Sequence, residues 1–204
     1  MKQLIRVIMY CIGLLILALG LILYTKTGLG VSPIISIPYS FSNIFNVNLG
    51  NATLCIFLLC VAGQFILRGK RSRLLDVLQV PLSVVFSRVM NVLNDIIIIE
   101  CNTLVLKFLV LIAAILFTGI GAAITVEMKV LPTAPDGFAQ AIAERMGKGL
   151  GLAKNTLDIS CVAITVIISL LFAGKVIGIG IGTLASVLGV GRTIALFNHF
   201  FKKK

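Results

Sequence analysis

The stretch Val130-Leu-Pro-Thr-Ala-Pro-Asp-Gly-Phe-Ala-Gln-Ala-Ile142 constrains the fold more than any other part of the chain. Apolar runs of membrane-spanning length lie around it, yet it holds two prolines, a glycine and an aspartate. Proline lacks the amide hydrogen that a helix interior needs, and its ring collides with the preceding turn, so no continuous helix passes through. About a hundred residues earlier Leu29-Gly-Val-Ser-Pro-Ile-Ile-Ser-Ile-Pro-Tyr39 breaks the apolar pattern in the same manner. Paired interruptions at matching places in two halves point to the substrate region of transporters with internal repeats. The segments 31–45 and 132–146 read either as re-entrant or as interfacial.

Composition sets the class. Hydrophobic residues make up 59% of the chain and charged residues 12%, with mean hydropathy +1.12. A soluble domain has about 45–50% apolar and about 25% charged residues, so the expectation is an all-α polytopic transmembrane bundle in contact with the lipid bilayer. The net charge of +11 does not signal nucleic acid. Its basic residues gather between apolar runs, at Arg68-Gly-Lys-Arg-Ser-Arg73 and Lys202–Lys204, where they orient spanning helices. Cys11, Cys55, Cys60, Cys101 and Cys161 form no CxxC pair, and His199 is the only histidine, so no disulfide framework, metal site or cofactor is expected. The start, Met1–Arg6 followed by Val7–Tyr24, has no small-residue cleavage site and reads as a retained first helix.

Six spans are expected, at about Ile5–Tyr24, Ala52–Leu67, Leu74–Leu93, Leu104–Val126, Asn155–Ala173 and Gly178–Phe200. Asn51 is the expected cap of the second, and Pro81 is expected to kink the third. With six crossings, Lys2, Arg6, the 68–73 cluster, Lys129, Arg145, Lys148, Lys154 and Lys202–Lys204 share one side. Lys26, Lys175 and Lys107 fall on the other. That asymmetry predicts cytoplasmic N- and C-termini in a cell membrane. The halves 1–100 and 101–204 also correspond. Pro33 matches Pro135, Gly50-Asn-Ala-Thr-Leu54 matches Ala153-Lys-Asn-Thr-Leu157, Ser83 matches Ser186 and Arg88 matches Arg192. Three spans per repeat is an odd number, so the second repeat enters the membrane inverted.

Polar residues in the spans are the candidates for chemistry. Asp76, Gln79, Ser83, Ser87, Asn91 and Asn94 recur at helical spacing on one face of the third span. Such a stripe either lines a pathway or bridges neighbouring helices, and Asp76 stands where Arg71 or Arg73 could pair with it. In the fifth span Asn155, Asp158, Thr165 and Ser169 share a face. Asp158 reads as a functional carboxylate or as an acid placed in a first turn by the helix dipole. Asp136, after Pro135, belongs to the first turn of a short helix, and the free amides at Ser32-Pro33 are the better anion candidate. Arg88 and Arg192 are open to pairing, snorkelling or substrate binding. Gly178, Gly182, Ser186 and Gly189 form a small-residue face suited to close packing. No GxSxG or HExxH motif occurs and a single histidine makes triad chemistry unpromising, so no catalytic residue is assigned and an enzyme is not expected.

Several of these stretches together, Pro135-Asp-Gly-Phe138, Lys154 with Asp158, Gly178-Ile-Gly-Ile-Gly-Thr183 and Val190-Gly-Arg192, resemble the bacterial YczE/YyaS/YitT family of integral membrane proteins. The resemblance implies a polytopic inner-membrane protein and supplies no substrate. The first half departs from it: Ser32-Pro33-Ile34-Ile35 stands where the family would carry a Pro-Trp-Asp-like turn, and the chain has no tryptophan. The expected function is a small-molecule transporter or exporter, with Pro33, Ser36, Pro135, Asp136, Gln140 and Asp158 near an unidentified substrate and Asp158 as a proton-coupling group. A homodimer is compatible with this length. The rival is a membrane scaffold or regulator that binds partner proteins through its spans. A water-filled polar centre favours the transporter, and a dry packed one the scaffold.

Overall fold

The computed structural model describes residues 2–69 and 74–201. Among them the chain forms α1 (Lys2–Thr27), α2 (Pro33–Phe45), α3 (Leu49–Arg68), α4 (Leu74–Val77), α5 (Gln79–Ile96), α6 (Leu104–Met128), α7 (Ala134–Met146), α8 (Leu150–Ala173) and α9 (Ile181–Phe201), and no strand. Five helices are long and apolar enough to cross a membrane: Gln3–Thr27, Leu49–Arg68, Leu104–Met128, Leu150–Ala173 and Ile181–Phe200. The third expected span is not among them, because α5 carries Ser83, Ser87, Arg88, Asn91, Asn94 and Asp95 within 18 residues.

Local chemistry accounts for most boundaries. Both interruptions fall just before their prolines, at 28–32 and 129–133, and Pro33 and Pro135 then sit in the first turns of α2 and α7. The chain breaks at Leu78, between α4 and α5, because Pro81 has no amide to give the carbonyl of Val77. Asn48, not Asn51, caps α3: its side-chain oxygen accepts from the amides of Gly50 at 3.1 Å and Asn51 at 3.5 Å. Asn51 instead accepts from the Arg88 guanidinium at 3.0 Å. The fifth span starts at Leu150 rather than Asn155, after Gly147 ends α7 in the left-handed conformation (φ 62°). Asp158 therefore lies about two turns inside α8, and the first-turn dipole account no longer covers it.

α1 and α6 form the central pair and run antiparallel, since Gly13 meets Ile124, Leu17 meets Gly121 and Gly20 meets Thr118. Between helices in lipid there is little hydrophobic gain, so close approach at small residues supplies the attraction. The short helices cross over between halves. α2 lies along α8, and α7 lies along α3. α5 packs on α1, and α9 packs on α6. Two main-chain hydrogen bonds tie the first interruption to the start of α9, Val31 N–H to Gly178 O at 2.9 Å and Gly182 N–H to Leu29 O at 2.8 Å. Gly180 and Gly182 sit against Leu29 and Gly30, and Gly189 against Ile115, so the small-residue face serves packing. The five cysteines are free thiols.

Candidate functional site

Each short helix begins inside the bundle, and the two starts face one space. Ser32, Pro33 and Ile34 from α2, with Thr133, Pro135 and Asp136 from α7, line a cavity of about 230 Å³. The α1–α6 crossing contributes Leu17, Leu21, Thr118 and Ala122. α8 adds Lys154, Asn155, Leu157 and Asp158, and α9 adds Ser186, Val187 and Val190. Phe57 and Phe86 close the remaining wall, their rings stacked with centroids 5.7 Å apart.

The charged end of this cavity is held by α7 and α8. The Lys154 ammonium donates to one Asp136 oxygen at 3.1 Å, and the Thr133 hydroxyl donates to the other at 2.7 Å. Burial pushes the Asp136 carboxyl up, but Lys154 and the Thr133 hydrogen bond outweigh it and hold the group below the usual carboxylate range. Asp158 stands one turn beyond Lys154 on the same face of α8, where the Lys154 charge reaches it. No hydrogen bond or ion pair from the described residues reaches its carboxylate.

A second cavity, of about 330 Å³, lies on the other side of the α7 start. Arg68, Asp76, Lys129, Pro132 and Gln140 line it, and it shares Thr133 and Asp136 with the first. Arg68 ties this region together. One guanidinium nitrogen bonds Asp76 at 2.9 Å, and the fork formed by Nε and Nη2 holds Glu144 at 2.9 and 3.0 Å. The Arg71 and Arg73 partners expected for Asp76 lie outside the described residues. Above this network the amides of Gln64 and Gln79, both fully buried, converge on Gly137 and find no hydrogen-bond partner.

A family model described as a family of unknown function (DUF6198) matches residues 4–199. The chain belongs to this family. No curated protein and no solved structure matches it.

In this DUF6198 chain four of the six residues singled out from the sequence, Pro33, Pro135, Asp136 and Asp158, line the same cavity. Gln140 lines the second cavity instead. Ser36 lines neither: it is buried, its hydroxyl bonds the Pro33 carbonyl at 2.7 Å, and it meets the Thr165 hydroxyl at 2.7 Å. The polar stripe of α5 faces inward, and much of it bridges helices. Asn91 accepts from the Gly50 amide at 2.8 Å, and Asn94 accepts from Lys26 at 3.0 Å. The α8 stripe divides. Thr165 and Ser169 bond Ser36 and Ser40, while Asn155 and Asp158 line the cavity. Sequence reasoning missed the bridging role of Arg68 and the buried Gln64. A lone amide in the otherwise apolar run 52–67 was the available signal for Gln64.

Proposed function

We propose that this chain is a multi-pass transporter or exporter of a small molecule, with its site in the cavity between the starts of α2 and α7. The observation that carries the reading is that cavity: two interrupted helices, about a hundred residues apart in sequence, begin at one shared polar and apolar space. Broken helices are tolerated at membrane depth where they line such a space.

The crossed packing supports two inverted repeats. Exchanging α1, α2, α3 and α5 for α6, α7, α8 and α9 maps the α2–α8 contact onto α7–α3, and α1–α5 onto α6–α9. The antiparallel α1–α6 pair is its own counterpart. In this reading α4–α5 is the sixth crossing, packed on α1 and α3, and the basic flanks put both termini in the cytoplasm of a cell bearing the protein in its cell membrane. The second cavity is then the cytoplasmic vestibule. The narrower resemblance to the YczE/YyaS/YitT family belongs to the same proposal and rests on Pro135-Asp-Gly-Phe138 and Lys154 with Asp158.

The test is flux in proteoliposomes across a panel of cationic, anionic and neutral solutes, under imposed proton and electrical gradients. The reading expects gradient-dependent movement of at least one solute, lost in Asp158→Asn. No movement under any gradient, together with an unchanged cellular phenotype for Asp158→Asn, overturns it in favour of the scaffold.

A further inference from the structure

The exchange of halves fails at one place. α3 runs along α5, whereas α8 and α9, their counterparts, have at most glancing contact. The cavity lining spans that gap, with Asn155 and Asp158 on one bank and Val187, Val190 and Gly191 on the other. A side chain at Gly191 would meet nothing within 4 Å, and Val187 and Leu188 are exposed. In a bilayer the space beyond such an opening is filled by acyl chains.

The charges around the cavity do not cancel. Lys154 is matched by Asp136 at 3.1 Å, and Asp136 also occupies the positive end of α7. Asp158 remains as a carboxylate with no hydrogen-bonded partner among the described residues. The uncapped start of α2 opposes it with only about half a charge. Most of the remaining wall is apolar, with Leu17, Leu21 and the stacked Phe57 and Phe86, and its other polar groups, Ser32, Thr118, Thr133, Asn155 and Ser186, are uncharged. No group of three His, Cys, Asp or Glu among the described residues suits a metal ion. An unmatched negative charge on an apolar wall selects an organic cation, because a carboxylate in a low-dielectric site gains most from a desolvated positive partner.

We propose that the cavity takes an amphiphilic organic monocation, which enters sideways from the bilayer between α8 and α9 and places its cationic head at Asp158. This assignment rests on the reading of the cavity as the substrate site and names its substrate class. The tail lies against the α9 bank and extends into lipid.

The full chain in nanodiscs of zwitterionic lipid is titrated with octylammonium, octanol and octanoate, and then with alkylammonium ions from butyl to decyl, and binding is read as a shift in Tm. Octylammonium is expected to bind roughly tenfold more tightly than octanol, and octanoate more weakly than either. Asp158→Asn removes the preference for the cation, and Asp158→Glu keeps it. Affinity rises through decyl, because the tail is not confined to about 230 Å³. A preference for octanoate, or a cation preference that survives Asp158→Asn in protein of unchanged elution profile, overturns the head assignment. An optimum at a short chain overturns the lateral route. Binding needs no turnover, so these failures are distinct from failure of the flux test, which strikes the transporter reading for every solute class.

Discussion

The two interrupted helices are seated in opposite ways. α2 rests on α8 through paired hydroxyls, Ser36 with Thr165 and Ser40 with Ser169, all four side chains buried and neutral. α7 rests on α3 through a glycine and a charged network, with Gly137 against Gln64, Phe138 against Gly63, and Arg68 reaching both Asp76 and Glu144. One seam is short, symmetric and satisfied within itself. The other holds amides without partners, and the ion pair that crosses it, Arg68 with Glu144, joins a buried guanidinium to a half-exposed carboxylate. The physical lesson is that two helices broken alike in sequence are held by different chemistry. The α2 seam closes on its own hydroxyls, and the start of α7 borders both cavities.

Substitutions can break that contrast. The largest effect is expected at Arg68→Met, which leaves Asp76 with less compensation in a buried place and should cost roughly 3–5 kcal/mol, read as a lowered denaturation midpoint in detergent. Gly137→Val comes next. Its side chain would crowd the ends of the Gln64 and Gln79 side chains, both fully buried, and their repacking is expected to cost about 1–3 kcal/mol in the same measurement. At the hydroxyl seam a double-mutant cycle on Ser36→Ala and Thr165→Val should return a coupling of only about 0.6 kcal/mol, because each hydroxyl retains its own carbonyl acceptor. A coupling as large as the Arg68 effect would erase the distinction between the seams.

The smallest effect concerns acid. The Asp136 carboxyl is held below the ordinary range when folded, so its contribution is fully present at neutral pH and is lost as pH falls through that depressed value. Asp136→Asn should flatten the acid limb of the stability profile while changing the neutral midpoint only slightly, since Lys154 is half exposed. An acid limb identical to the parent's would contradict the pairing.

How legible this was depends on how local each constraint is. Proline geometry and the demands of lipid act within a few residues, so the helical class, the two interruptions and the first-turn places of Pro33 and Pro135 could be read directly. The start of α8 could not, because Gly147-Lys-Gly149 and Gly151 look like loop, whereas the chain is already helical from Leu150. That shift of one turn or more changed the standing of Asp158 from a helix-end acid to a cavity carboxylate. Periodicity showed that Thr165 and Ser169 share a face with Asp158, but not that two of the three would be claimed by α2. The partners of Arg68 come from α4 and α7, and no spacing in the sequence announces them.

A transport site between the starts of α2 and α7 requires that this space hold water and open to it. Ser186, which is buried and lines that space, offers the direct test. In a background with the five native cysteines replaced, Ser186→Cys is exposed to a small charged thiol reagent in vesicles of each orientation. Reaction from the cytoplasmic face, slowed by a transported solute, is the predicted result. Failure to react from either face, while Asn155→Cys at the cavity edge reacts freely, would show a dry centre and rule out a transport site there.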